Sequence, residues 1–288
     1  MPPVNLCPTK SAGALPVDLY GLGRPLPIVH PAARLPFKMP SYLLSVEADA
    51  KTDKGTASGY LTGILYLAPG QLAGVGNLCP HASAGCLAAC LFTAGRAGIF
   101  EAVNAARVMR TRFLHDNRQA FIAQLRGEIS ALVRKAKRRG LRPVVRLNGT
   151  SDLPWEKLAP ELFTDFPRLR FYDYTKSARR ALAFAAGKLP RNYHLTFSLS
   201  ETNAAAAGLA IAAGVNVAAV ADGVKVGQRF ALPGLNDARP TFSADRHDVR
   251  FLDRKATDGR GRIGILKAKG KARGDTSGFV VRATAAAA

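Results

Sequence analysis

The period of the apolar positions changes several times along the chain, and each change predicts an element. Gly59-Tyr60-Leu61-Thr62-Gly63-Ile64-Leu65-Tyr66-Leu67 is apolar, β-branched and aromatic, and Ala68-Pro69-Gly70 ends it. That pattern predicts a buried strand. Residues 41–46 predict a shorter strand before it, and the polar, Gly-containing stretch 47–58 predicts a loop between the two. Further on the period becomes helical. Ile99, Val103, Ala106, Met109 and Phe113 form a stripe over 97–115, and Phe121, Leu125, Ile129, Leu132 and Ala136 form another over 117–139. Gly140 is a natural stop for the second helix.

From there strands and helices alternate. Strands are expected at 143–147, 169–174, 193–199 and 215–221, and helices at 154–163, 177–187 and 201–213, with Ser177 as an N-cap. Two further strands are expected at 224–231 and 249–252. Alternation at this spacing predicts βαβ units and a parallel sheet, an α/β fold whose natural closure is a partial (β/α) barrel. No segment repeats. Nine of the 18 prolines lie in residues 1–40, which predicts an extended arm, because proline interrupts both helix interiors and central strands. The expected organisation is therefore a proline-rich arm at 1–40, a partial barrel at 41–250, and a basic, partly flexible C-terminal region at 251–288.

Charge adds a partner to this picture. Lys and Arg number 41 against 20 Asp and Glu, a formal charge of +21. A polyanion such as nucleic acid is the simplest counterpart, since each cation near a phosphate releases a counterion. Two groups are candidates for phosphate contact: Arg134, Lys135, Lys137, Arg138 and Arg139 at the end of the second long helix, and Lys267, Lys269 and Lys271 in the C-terminal region. Cations in a helix's last turn also complement its dipole, which accounts for one or two of the first five. No apolar run approaches the ~20 residues of a membrane-crossing helix, and Met1-Pro2-Pro3-Val4 does not open a secretory leader. A reducing cytoplasm is expected, and clustered cysteines there bind metal more often than they pair.

Three of the four cysteines, Cys79, Cys86 and Cys90, fall directly after the first strong strand. Their spacing is C-x6-C-x3-C. Cys86 and Cys90 would share a helix face, with Cys79 supplied by the preceding loop. Three thiolates suit three irons of a 4Fe–4S cluster, leaving the fourth iron open. A closed zinc site needs four ligands, so His81 or Cys7 would complete it. The loop lies at the carboxyl end of a strand, where parallel α/β folds place their sites, and the segments around 148–152, 174–176, 198–201 and 222 reach the same mouth.

A three-cysteine loop after the first strand of a partial barrel resembles the radical SAM superfamily. More closely, residues 79–96, with Ala94-Gly95-Arg96, and Arg146-Leu147-Asn148-Gly149-Thr150-Ser151-Asp152-Leu153-Pro154-Trp155-Glu156 resemble the phage gene product 88 family, over roughly residues 43–270. The resemblance implies a barrel of radical SAM type, a 4Fe–4S cluster on Cys79, Cys86 and Cys90, and S-adenosylmethionine at the open iron. It implies Asn148, Thr150, Ser151 and Asp152 near the methionine amino group, and Ser198, Ser200 and Glu201 near the ribose hydroxyls. It also puts the protein in the host cytoplasm. The spacing departs from the C-x3-C-x2-C of most radical SAM loops.

Each candidate has a plainer reading. Asp152 caps the following helix, Trp155 packs in the core, and Asp173 and Lys176 sit in a solvated loop. His30, His115, His194 and His247 are isolated, and residues 224–227 lack a phosphate-loop fingerprint. The expected function is an iron–sulfur, radical-SAM-like enzyme acting on nucleic acid. Its rivals are a nucleic-acid-binding protein whose zinc or iron–sulfur group only staples the loop, and a radical enzyme acting on a small molecule.

Overall fold

The structure, a computed structural model, describes residues 40–90 and 100–283. The proline-rich arm with Cys7 and the Ala94-Gly95-Arg96 motif lie outside the described residues. The chain runs β1 (Leu44–Val46), α1 (Ala50–Ala57), β2 (Tyr60–Leu65), α2 (Ala84–Ala88), α3 (Glu101–Asp116), α4 (Arg118–Arg138) and β3 (Arg142–Arg146). It continues through α5 (Trp155–Leu158), α6 (Glu161–Asp165), β4 (Arg170–Thr175), α7 (Ala178–Ala185), β5 (Tyr193–Ser198), α8 (Ala204–Ala212) and β6 (Val217–Asp222). The last part holds β7 (Arg229–Phe230), β8 (Arg239–Ser243), β9 (Ile263–Leu266) and β10 (Val281–Arg282), with 3-10 turns at Arg250–Leu252 and Gly270–Gly274.

The strands form one mixed, mostly parallel, ten-stranded sheet in the order β1-β2-β3-β4-β5-β6-β9-β8-β7. β2 to β6, β9 and β8 run parallel, and β1 and β7 add antiparallel edges. The sheet does not close on itself. At β6 the pairing forks: Val217–Val220 pair with β9, and Ala221 and Asp222 pair with β10.

Alternation along the strands separates two faces. Leu61, Leu65, Val145, Phe171, Tyr193 and Leu195 point into the main core, where the α4 stripe Phe121, Leu125, Ile129, Leu132 and Ala136 packs on β2 and β3 and Phe163 packs on Phe171 and Tyr193. Burying one such side chain contributes about 1.5–3 kcal/mol, so this stripe dominates the stability of the half around β2–β4. A second core forms under α8 from Phe197, Ile211, Val217, Ala219 and Ile263. On the opposite face Arg146 and Tyr172 meet Asp248, at 3.1 and 3.0 Å, and the turn Arg250–Leu252 lies across β4 and β5.

Several local expectations are corrected. Residues 47–58 are not a loop throughout: they hold α1, whose start is fixed by reciprocal bonds, Thr52 N to Asp49 Oδ1 at 3.2 Å and Asp49 N to Thr52 Oγ1 at 3.1 Å. That is a capping box without the usual Glu, and α1 carries no apolar stripe to announce it. The strand expected at 249–252 is a 3-10 turn, held by an Arg250–Asp253 pair three residues apart, a spacing that suits a helical turn. Of the strand expected at 224–231, only Arg229–Phe230 forms. Past residue 250 the chain contributes β9, between β6 and β8, and β10.

Candidate cysteine site

The loops after β2 and β3 are laced together by main-chain bonds. Gly149 N donates to Leu65 O at 3.0 Å, Asp152 N donates to Leu78 O at 2.8 Å, and Thr150 Oγ1 donates to Leu67 O at 2.5 Å. Gly149 is required by crowding. A Cβ there would stand 2.6 Å from Tyr66 Cδ1 and 2.7 Å from Leu65 O. Within the cysteine loop, Leu78 N bonds Gly70 O, where Gly70 turns the chain at φ +55°. Ser83 then caps α2 by accepting from Cys86 N at 3.2 Å.

The loop after β5 reaches α2 as well. Glu201 accepts from Ser83 Oγ and from Gly85 N, both at 2.7 Å. A carboxylate at a helix start satisfies orphan N–H groups, so Glu201 docks the segment that carries Cys86. Gly85 has no room for a side chain, because Ser277 Oγ would lie 2.2 Å from a Cβ. Residues near Ser277 therefore lie over α2, and Cys86 packs in a small apolar cluster with Ala89, Ala272, Phe279 and Val280.

Cys79, Cys86 and Cys90 are half-buried, and none is in a disulfide. The Cys79 Sγ lies 3.7 Å from Thr150 O. Its thiol is pushed up to about 12, first by burial and then by the charges of Cys90, Asp152 and Cys86, against a lowering backbone N–H from Gly70. The three cysteines are thus close enough to influence one another. Among the described residues no three His, Cys, Asp or Glu side chains gather closely enough to hold a single metal ion. A cubane cluster asks for a wider set, since its thiolates bind different irons. The Cys79 thiol feels the charges of both Cys86 and Cys90, so the loop brings the three cysteines into one neighbourhood.

A residue that sequence reasoning missed stands beside them. Arg107, on α3, is 6% exposed, and its Nε and Nη1 are buried with no hydrogen-bond partner among the described residues. Its guanidinium lies 5.2 Å from the centroid of the Tyr66 ring and feels the charge of Cys90. Burial holds its pKa below the usual arginine value. A buried cation with unsatisfied N–H groups is costly, and an anion at the cysteines would offset that cost. No spacing in the sequence marks this residue, because a single arginine in an amphipathic helix reads as solvent-facing.

The residues expected around a cofactor are mostly engaged with the protein itself. Asn148 is buried; its Oδ1 accepts from Ser151 Oγ, Leu153 N and Trp155 Nε1, and its Nδ2 donates to Leu153 O and Asp173 Oδ2. Asp152 accepts from Lys176 N and from Arg180 Nη1, each at 2.8 Å, while Arg180 also pairs with Glu156. Asp152 therefore ties the β3 loop to α7 rather than capping α5, whose N-cap position is Pro154. Trp155 is fully buried and stacks on Phe121. Asp173 is also fully buried rather than solvated, and it accepts from Asn148 N and Tyr193 Oη at 2.7 Å. Burial pushes its carboxyl up to about 7, against the lowering effect of those bonds and of Arg146 and Arg180. Ser198 accepts from Lys176 Nζ at 3.0 Å. Ser200 differs: its Oγ is buried with no partner.

The two basic groups part company. β3 begins beside the first residue of β2, Arg142 opposite Tyr60. The end of α4, just before β3, therefore lies at the amino ends of the strands, opposite the cysteine loop. Lys135 and Arg139 there are paired with Glu47, leaving Arg134, Lys137 and Arg138 exposed. Lys267, Lys269 and Lys271 follow the carboxyl end of β9, on the cysteine side, and Lys269 is paired with Asp245 at 2.5 Å.

A model of the family described as gene product 88 matches residues 42–283. The chain belongs to the gene product 88 family, a family of phage proteins. The match begins just before β1 and ends just past β10, so in this gene product 88 member it takes in the whole sheet, the cysteine loop and the C-terminal segment that covers it. No curated protein matches the chain, and no solved structure matches it. Among the described residues no helix is long and apolar enough to cross a membrane.

Proposed function

We propose that this gene product 88 protein is an iron–sulfur, radical-SAM-like enzyme that acts on nucleic acid in the host cytoplasm, on a scaffold of partial (β/α) barrel type. The reading is supported by the Cys79 thiol, which lies past the carboxyl end of β2 and feels the charges of Cys86 and Cys90, and by the neighbouring Arg107 guanidinium, two of whose nitrogens lack a hydrogen-bond partner among the described residues. Cys79, Cys86 and Cys90 would hold three irons of a 4Fe–4S cluster. With S-adenosylmethionine at the fourth iron, the cluster supplies one-electron reduction of a sulfonium. The protein's own part is to hold the loop through Glu201 and the Asp152–Leu78 bond, to place Arg107 as a counter-charge, to offer the Ser200 hydroxyl to a ligand, and to keep water out with the segment around Phe279.

Anaerobic reconstitution tests this. Brown protein with near-stoichiometric iron and sulfide, visible absorbance that bleaches on reduction, and S-adenosylmethionine cleavage that Cys86→Ala abolishes are expected. Cleavage that survives Cys86→Ala would refute the ligand assignment. A second reading is favoured by one observation, that Asn148, Asp152 and Glu201 spend their side chains inside the fold. In it the metal only staples the loop of a nucleic-acid-binding protein. Colourless protein with one zinc per chain and no cleavage would establish it instead.

A further inference from the structure

The fork in the sheet at β6 opens a cavity of about 390 Å³ at the carboxyl ends of β6, β8 and β9. That volume falls within the ~300–1,000 Å³ of small-ligand sites. Crevices at the carboxyl ends of parallel strands are also where α/β folds bind ligands. Ala221, Ile265 and Val280 form a buried apolar floor. Val280 and Ala268 belong as well to the cluster around Cys86, so the cavity opens beside the cysteine loop.

Its rim is charged and mostly unspent. Lys267 and Arg273 line it, both are exposed, and neither side chain has a hydrogen bond or ion pair among the described residues. The main chain that aims Lys267 is pinned, because its N–H donates to Asp245 Oδ2 at 2.7 Å. Asp245 does not neutralise the rim: its other oxygen is taken by Lys269. Arg282 donates one guanidinium nitrogen to Asp275 O at 2.9 Å and keeps the others. Asp222 is the exposed carboxylate opposite, bonded to its neighbour Gly223 N. Two unpaired cations held over an apolar floor suit a phosphate. Of the two lining carboxylates, Asp222 is the one that no lysine or arginine pairs, and it suits a pair of sugar hydroxyls, while the floor suits the sugar or base face.

We propose that this cavity binds the phosphate and ribose of a nucleotide, with Lys267 and Arg273 on the phosphate and Asp222 on the hydroxyls. The nucleotide is either free or a unit of a single strand. The inference goes beyond the cluster chemistry and does not depend on it.

The test uses the full chain as purified. Adenosine 5′-monophosphate and adenosine are titrated calorimetrically, and a single-stranded RNA hexanucleotide is titrated by fluorescence anisotropy. The Lys267→Ala/Arg273→Ala variant is compared with Arg168→Ala/Lys188→Ala, which removes equal charge from exposed positions before β4 and β5, at the other end of the sheet. The expected result is a loss of at least tenfold in affinity in the cavity variant and less than twofold in the control, with adenosine at least tenfold weaker than its monophosphate. Binding of the monophosphate identifies a free nucleotide as the source, and binding of the hexanucleotide alone identifies a strand. Equal losses in both variants would reduce the effect to the general attraction of a +21 protein and overturn the proposal. So would equal binding of adenosine and its phosphate, or no binding of either phosphate probe by the wild type. Inorganic pyrophosphate should displace the bound phosphate probe from the unaltered protein, and a probe that stays bound would overturn the proposal without recourse to a variant. Iron plays no part in these readouts, so failure of the cluster reading leaves them intact.

Discussion

Glu201→Ala separates the role seen for Glu201 from the ribose contact that sequence resemblance implies. The carboxylate accepts one bond from Ser83 Oγ and one from Gly85 N, both at 2.7 Å. Bonds to a charged group contribute about 1.5–3 kcal/mol each. The serine hydroxyl regains water when the carboxylate leaves, whereas Gly85 is buried and its N–H is stranded. Because Glu201 is itself part-exposed, the loss is discounted to about 2–3 kcal/mol. At 1.4 kcal/mol per decade, that raises the local opening of α2 by about 30- to 150-fold. Hydrogen exchange read by mass spectrometry on peptides spanning residues 80–90 measures it directly. Exchange should rise at the Gly85, Cys86, Leu87 and Ala89 amides and stay unchanged in the buried stripe of α4. Glu201→Gln keeps one acceptor oxygen for Gly85 N, presents an NH2 that the Ser83 hydroxyl can accept from instead, and loses the charge, about 1 kcal/mol and roughly fivefold. An α2 whose exchange is unaltered in Glu201→Ala would show that the carboxylate does not hold the cysteine loop, and would return Glu201 to the role of a ligand contact.

Three shorter predictions follow from neighbouring residues. Asp173 has its carboxyl raised by burial from 3.8 to about 7. Its contribution to stability is therefore fully present below about pH 4 and is lost as pH rises through about 7, a fall of about 4 kcal/mol at 1.36 kcal/mol per pH unit. Urea unfolding at pH 4.5 to 7.5 should show about 3 kcal/mol of that decline in the wild type and a flatter profile in Asp173→Asn; parallel profiles would contradict the assignment. Gly149→Ala forces a Cβ against Leu65 O and the Tyr66 ring. It should cost about 2 kcal/mol, a Tm loss of about 4–8 °C by thermal unfolding, and a Tm within a degree of wild type would mean that the two loops separate freely. Arg107→Met removes a buried cation two of whose nitrogens lack a hydrogen-bond partner among the described residues. The metal-free protein should gain Tm while metal content after reconstitution falls. A lower Tm in the metal-free variant would show that the guanidinium is already satisfied by the protein.

Much of the scaffold was legible before any coordinates. The five residues of the α4 stripe are all buried, with Ile122 added beside Phe121, because an amphipathic helix announces its buried face through local spacing. β2 to β6 were read for a similar reason. Each is a short apolar run in the middle of a parallel sheet, bounded by turns and helices. The cysteines were placed after β2 by chain order, and parallel βα units put every such loop at one end. What escaped were elements without a local signature. α1 depends on the Asp49–Thr52 exchange. β9, four residues bracketed by Arg262 and Lys267, becomes a strand only because β6 and β8 flank it.

The site divides along the same line. Sequence alone determined which side chains carry thiol chemistry, that they follow a strand of a parallel α/β sheet, and that the chain is strongly cationic. These are properties of composition and near-neighbour spacing. Tertiary structure decided which groups are free to act. It turned Asn148, Asp152 and Glu201 into struts and left the Ser200 hydroxyl and two guanidinium nitrogens of Arg107 without hydrogen-bond partners among the described residues. It also sent the α4 cations to the far end of the sheet and brought Lys267 and Arg273 to a cavity beside Cys86. The physical reason is that hydrogen-bond valence and charge pairing are settled by residues dozens of positions apart, such as Glu201 with Gly85 and Asp152 with Arg180, and no window of sequence contains both partners.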